Sequence, residues 1–174
     1  KAQAMLSSLQ QFSFSNKNDK LKIRFPADYN GLGVFISYAQ SVRTGKGKDS
    51  ISISAIDFDP DSNTGLFNYG TLKSDESLNL TTPGITNFGR IILGNKNDVI
   101  TCKNNVTGNF FGFDNVGTIK TRSGNDQINA NSFSNSGKVH MGNGFDNITV
   151  IGNSNTGIDN EGVIKTGKGK SKFI

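Results

Sequence analysis

The pattern apolar-x-Asn-x-Gly-x-apolar-x-Thr recurs along most of this chain, and it restricts the fold more than any other feature. Residues 66–74, 85–93, 113–121, 133–141 and 158–166 carry it, and a diverged first copy spans 36–44. Read in columns, the first apolar position is Ile36, Leu66, Ile85, Phe113, Phe133 and Ile158, and the second is Val42, Leu72, Ile91, Ile119, Val139 and Ile164. After a Gly-rich turn comes a third, Ile51, Leu78, Ile100, Ile128, Ile148 and Phe173. Two residues further lies a fourth, Ile53, Leu80, Cys102, Ala130 and Val150. Apolar residues two apart point to one face of a strand. A single copy cannot bury that row, whereas stacked copies bury it as a continuous ladder. The pattern therefore predicts an all-β fold: a single-stranded parallel β-solenoid (β-helix) of about six coils over residues 36–174.

The polar columns fit the same stacking. Asn68, Asn87, Asn115, Asn135 and Asn160 share one position, headed by Tyr38, and Gly70, Gly89, Gly117, Gly137 and Gly162 share another, headed by Gln40. Strands stacked about 4.8 Å apart let identical amides hydrogen-bond along the stack. The glycines are expected to supply positive φ or room for close packing. Both columns are read as structural ladders. Cys102 falls in an apolar column and is expected as buried filler rather than a nucleophile.

Residues 1–35 lie outside the repeat and are expected to form an N-terminal cap or assembly segment. "FSFS" and "KLKIRF" alternate around "NKND", which suggests a hairpin over residues 12–25. Copy six runs to Ile174 with no capping sequence, which raises the expectation of head-to-tail self-association into a filament. Copies lengthen at one corner, where residues 54–63 and 103–112 are inserted, and loops of this kind are where function is grafted.

The turn before the third apolar column reads "GKGKD" (45–49), "GNKND" (94–98), "SGND" (123–126), "GNGFD" (142–146) and "GKGKS" (167–171), shortened in copy two to "SDES" (74–77). Here the chain resembles the RTX family of secreted proteins, with its Gly-Gly-x-Gly-x-Asp-x-apolar-x nonapeptide. It resembles more closely the "GxIxTGxGxDxI" arrays of cyanobacterial surface proteins. The resemblance covers residues 36–174 and implies a β-solenoid of a secreted or cell-surface protein. Its RTX part implies calcium, with Asp49, Asp98, Asp126 and Asp146 as the metal residues and Glu76 beside them in copy two. Each coil has one such motif where a calcium β-roll has two, and Ser171 replaces the last Asp. The residues by themselves leave open whether these carboxylates hold an ion or close their own turns.

Composition narrows the function. No stretch approaches the length of a membrane helix. The net charge of +5 and pI near 9.4 favour an acidic partner. The lysines look scattered, no Arg-rich helix or RNA-binding strand motif is present, and no nucleic acid is expected. His140, the single histidine, alternates outward between Val139 and Met141, and no catalytic set emerges. Asp57, Asp59 and Asp61 form the densest acidic cluster. The expectation is a noncatalytic structural protein of the cell surface or matrix, secreted, self-associating and without a cofactor. An RTX-like calcium module and an adhesive module for acidic polysaccharide are the alternatives.

Overall fold

The apolar columns close on one another as three parallel sheets. The protein is described here from a computed structural model covering residues 7–8, 14–25, 34–55, 65–102, 112–152 and 157–174. Two strands come first, β1 (Ser7–Ser8) and β2 (Lys20–Phe25). Six three-strand coils follow. The first is β3 (Val34–Ile36), β4 (Ser41–Arg43) and β5 (Lys48–Ala55), and the second β6 (Leu66–Asn68), β7 (Thr71–Lys73) and β8 (Ser77–Thr82). Next come β9 (Ile85–Asn87), β10 (Arg90–Ile92) and β11 (Val99–Cys102), then β12 (Phe113–Asn115), β13 (Thr118–Lys120) and β14 (Gln127–Ala130). The last two are β15 (Phe133–Asn135), β16 (Lys138–His140) and β17 (Asn147–Val150), and β18 (Ile158–Asn160), β19 (Val163–Lys165) and β20 (Lys172–Phe173). The first strand of each coil builds one sheet, the second another and the third the last, every pairing being parallel. The chain is thus a parallel β-solenoid, as the repeat predicts.

Inward residues make the core. Ile85, Ile91, Ile100, Ile119, Ile128 and Val139 are fully buried, and Phe113 meets Phe133 edge to face at 5.3 Å. Each such side chain contributes about 1.5–3 kcal/mol of burial. Cys102 is buried, and burial pushes its thiol pKa up. The fourth position of the second sheet's run (Thr44, Ser74, Leu93, Thr121, Met141) also faces inward.

Three expectations are corrected. In copy one, Val34 rather than Ile36 pairs with Leu66, and Ile36 rather than Tyr38 takes the Asn position beside Asn68. Copy one spends two more residues on this corner, where Ala39 adopts φ of 60°. In copy two, Leu80 rather than Leu78 joins Ile51 and Ile100, and Thr82 follows beside Cys102. Its turn is one residue shorter than the others (Leu72 to Leu80 against Val42 to Ile51), not three. Finally, among the described residues Lys20–Phe25 is not paired with residues 14–19, as the expected hairpin would have it. It lies parallel to Lys48–Ala55, with Leu21 beside Ile51 and Ile23 beside Ile53, as a further rung of the third sheet.

Candidate functional site

The Asn column is joined through its side chains. Asn68 Nδ2 donates to Asn87 Oδ1 at 2.7 Å, Asn87 to Asn115 at 2.7 Å, Asn115 to Asn135 at 2.7 Å and Asn135 to Asn160 at 2.6 Å. Each buried amide pair contributes about 1 kcal/mol net, and each would cost more if left single. The Gly column beside it works by close approach and not by positive φ. A Cβ at Gly89, Gly137 or Gly162 would lie 2.0–2.2 Å from the carbonyl oxygen of the column residue one coil earlier. Gly70 approaches Gln40 in the same way. None of the five has the left-handed φ seen at Gly124 (144°) in the second corner.

That second corner holds the acidic residues. Asp49, Asp98, Asp126 and Asp146 point inward and are all but inaccessible. Each Oδ1 accepts the backbone N–H of the residue one rung before it: Asp19 to Asp49 (3.1 Å), Leu78 to Asp98 (2.5 Å), Asp98 to Asp126 (2.9 Å) and Asp126 to Asp146 (3.0 Å). Leu78, not Glu76, therefore takes the copy-two position, and Asp19 extends the column by one rung. Glu76 sits earlier in its turn and accepts the Gly47 N–H. The second oxygen of all four carboxylates is buried without a hydrogen-bond partner. Burial pushes all four pKa values up, and Asp98 reaches about 7 because Asp126 adds its charge to desolvation. Thr44 draws on Asp49 and Thr121 on Asp126, lowering each in part. Neighbouring asparagines tie the turn outside: Asn97 Oδ1 accepts the Asn125 N–H and Asn125 Oδ1 the Phe145 N–H.

This arrangement does not fit the calcium that the RTX resemblance implies. Calcium takes six to eight oxygens. Here one oxygen of each carboxylate is committed to an N–H, Leu78 and Ser171 interrupt the column, and no group of three or more acidic, His or Cys side chains among the described residues could hold a metal ion. Asp57, Asp59 and Asp61 lie outside the described residues. The melting temperature is expected to be the same in millimolar calcium and in excess chelator, since an ion bound only by the folded chain would raise it. A calcium-dependent rise would restore the ion to this corner.

A different set of residues gathers on the outer face of the second sheet. Each inward residue of that sheet has two outward neighbours, and every coil places one cation there: Arg43, Lys73, Arg90, Lys120, Lys138 and Lys165. Arg43 and Lys73 occupy one column with Lys120 and Lys165, and Arg90 and Lys138 the other. His140 stands between Lys120 and Lys165. Partial burial, then Lys120, Lys165 and Lys138, hold its imidazole below the usual value. Lys73 pairs with Asp75 at 3.1 Å, the one ion pair among the described residues. Linear reading took these lysines as scattered. The pattern cation-apolar-x or x-apolar-cation around each second apolar column was the signal that would have found them.

The chain was compared with protein-family models, with curated proteins and with solved structures, and none matches it. No helix among the described residues is long and apolar enough to cross a membrane.

Proposed function

We propose that this chain is a noncatalytic structural solenoid of a cell surface or matrix that holds acidic polysaccharide along the outer face of its second sheet. The observation behind this reading is the file of one cation per coil. Parallel rungs lie about 4.8 Å apart, close to the length of one sugar unit. The two columns together offer one cation per rung, and among the described residues Lys73 alone is paired to an acid. Such a row suits a linear polymer bearing regular carboxylate or sulfate groups, and its attraction is screened by salt. Duplex nucleic acid carries far denser charge and is read by elements that enter a groove, which a flat sheet face does not supply. The noncatalytic part is supported by the inward burial of Cys102 and of the four aspartates and by the crowding of His140 with lysines.

The single histidine reports on the file. Binding an anion beside His140 favours the imidazolium, so its pKa rises on binding and affinity increases as pH falls through it. NMR titration of His140 with and without an oligouronate checks this. Retention on an anionic polysaccharide matrix is expected to weaken with salt and to be lost in the Lys120→Glu/Lys138→Glu variant. An unmoved His140 titration together with salt-independent retention would sink the reading.

A further inference from the structure

Five aromatic side chains stand outside the solenoid, two on the first sheet and three at the corner it makes with the second, and neither the core nor the cation columns account for them. Phe35 and Phe67 are in register at the middles of β3 and β6. Tyr69 and Phe88 immediately precede glycines of the Gly column, and Tyr38 sits in the longer corner of copy one. Four of the rings lie almost parallel. Phe35 and Phe67 stack at 5.1 Å and 9°, Tyr69 and Phe88 at 5.1 Å and 5°, and Tyr69 is 6.4 Å from both Phe35 and Phe67. Tyr38 tilts against Tyr69 at 4.9 Å. Tyr38 is 72% and Phe88 45% exposed. A contiguous apolar patch on the outside of a solenoid marks a binding surface.

The same corner continues past Phe88 as a shallow groove of about 440 Å³ that runs from Val116 past Gly137 to Val163, with both Lys138 and the acidic Glu161 in its lining. Two cations reach this corner: Arg90 follows Phe88 by two residues, and Lys138 lines the groove itself. Aromatic surface, groove and these two charges are therefore neighbours along the stack of coils.

We infer that the aromatic corner and groove are subsites for the pyranose rings of the ligand. The apolar C–H groups of the sugars pack on the exposed rings of Tyr38 and Phe88, which the stacked Phe35, Phe67 and Tyr69 hold in place, while their acidic groups face Arg90 and Lys138. The inference rests on the proposed polysaccharide reading for the charge of the ligand, and on the aromatic cluster alone for its rings. A polyanion without rings has no apolar face to offer and would use the cations only.

Two polyanions separate these contributions: an oligouronate and inorganic polyphosphate, each titrated into the full chain. With no Trp and three Tyr in the sequence, tyrosine emission reports on Tyr38 and Tyr69 directly. Tyr69→Leu/Phe88→Leu is expected to weaken the oligouronate by roughly tenfold, the scale of one or two lost ring contacts, and to leave polyphosphate and the salt slope unchanged. Tyr69→Phe should keep full affinity. Equal weakening of both ligands, or of neither, overturns the inference, as does preferential loss of a single-stranded oligonucleotide, whose bases also stack on rings. Should the wild type bind neither polyanion, the charge reading fails by itself. An uncharged pyranose oligosaccharide then tests the corner alone, and unchanged tyrosine emission would dismiss it.

Discussion

Gly117→Ala is expected to destabilise the solenoid by about 3 kcal/mol, the upper end of what one added methyl group typically does to a packed interior. The added Cβ would lie 2.1 Å from the Gly89 carbonyl oxygen and 2.7 Å from the Phe88 carbonyl carbon. Both are backbone atoms, so no rotamer change relieves the overlap. That same Gly89 carbonyl accepts the Thr118 N–H at 2.9 Å, and the Gly117 N–H donates to the Asn87 carbonyl at 2.8 Å. Widening the gap to admit a methyl would stretch both bonds and pull the Asn87–Asn115 amide pair apart. Gly157→Ala is the control, because a Cβ there meets nothing within 4 Å. Urea unfolding of the two variants checks the contrast. Similar midpoints would show that the coils can separate at little cost.

Stability is expected to fall as pH rises from about 4 to 7. Asp98 has a folded-state pKa of about 7 against an ordinary value of 3.8, so between these limits the folded chain keeps a proton that the unfolded chain has lost. Unfolding stability then declines with pH, by about 1.4 kcal/mol per unit and about 4 kcal/mol in all for Asp98. Asp49, Asp126 and Asp146 shift in the same direction, and Asp98 and Asp126 release their protons as a coupled pair. Asp98→Asn keeps the acceptor for the Leu78 N–H and removes the charge. It should flatten the slope and leave the variant more stable than wild type at pH 8. A wild-type profile that rises between about pH 4 and 7 would mean that the carboxylates are compensated as ions.

Most of the architecture is legible in the repeat because burial imposes it locally. Ile91, Ile119 and Val139 can face the core only if the residues beside them face out, and this alternation is written in adjacent letters. The Asn column is legible for a similar reason, since a polar residue repeated between apolar columns must find its partner in the next coil. Register at the irregular copies is not. Ile36 and Tyr38 each fit the Asn position by spacing, and only the pairing of Val34 with Leu66 shows that copy one has the longer corner. Leu78 and Leu80 compete for one column in the same way. Only the pairing of Leu80 with Ile51 and Ile100 shows which one takes it, with the Leu78 N–H donating to Asp98, twenty positions on.

The sequence by itself determined that this chain stacks coils around an apolar interior, with Asn and Gly columns at one corner and Asp at another. Those properties follow from periodicity, which short-range geometry enforces in every copy. Only the tertiary structure decided what the columns do. It turned the Gly column into a matter of backbone approach, because that distance lies between coils and not within one. It made the aspartates acceptors of their neighbours' N–H groups, with buried second oxygens. And it brought Arg43, Lys73, Arg90, Lys120, Lys138 and Lys165, far apart in the chain, onto one sheet face in two adjacent columns, since residues become neighbours across rungs only when the register of every coil is set.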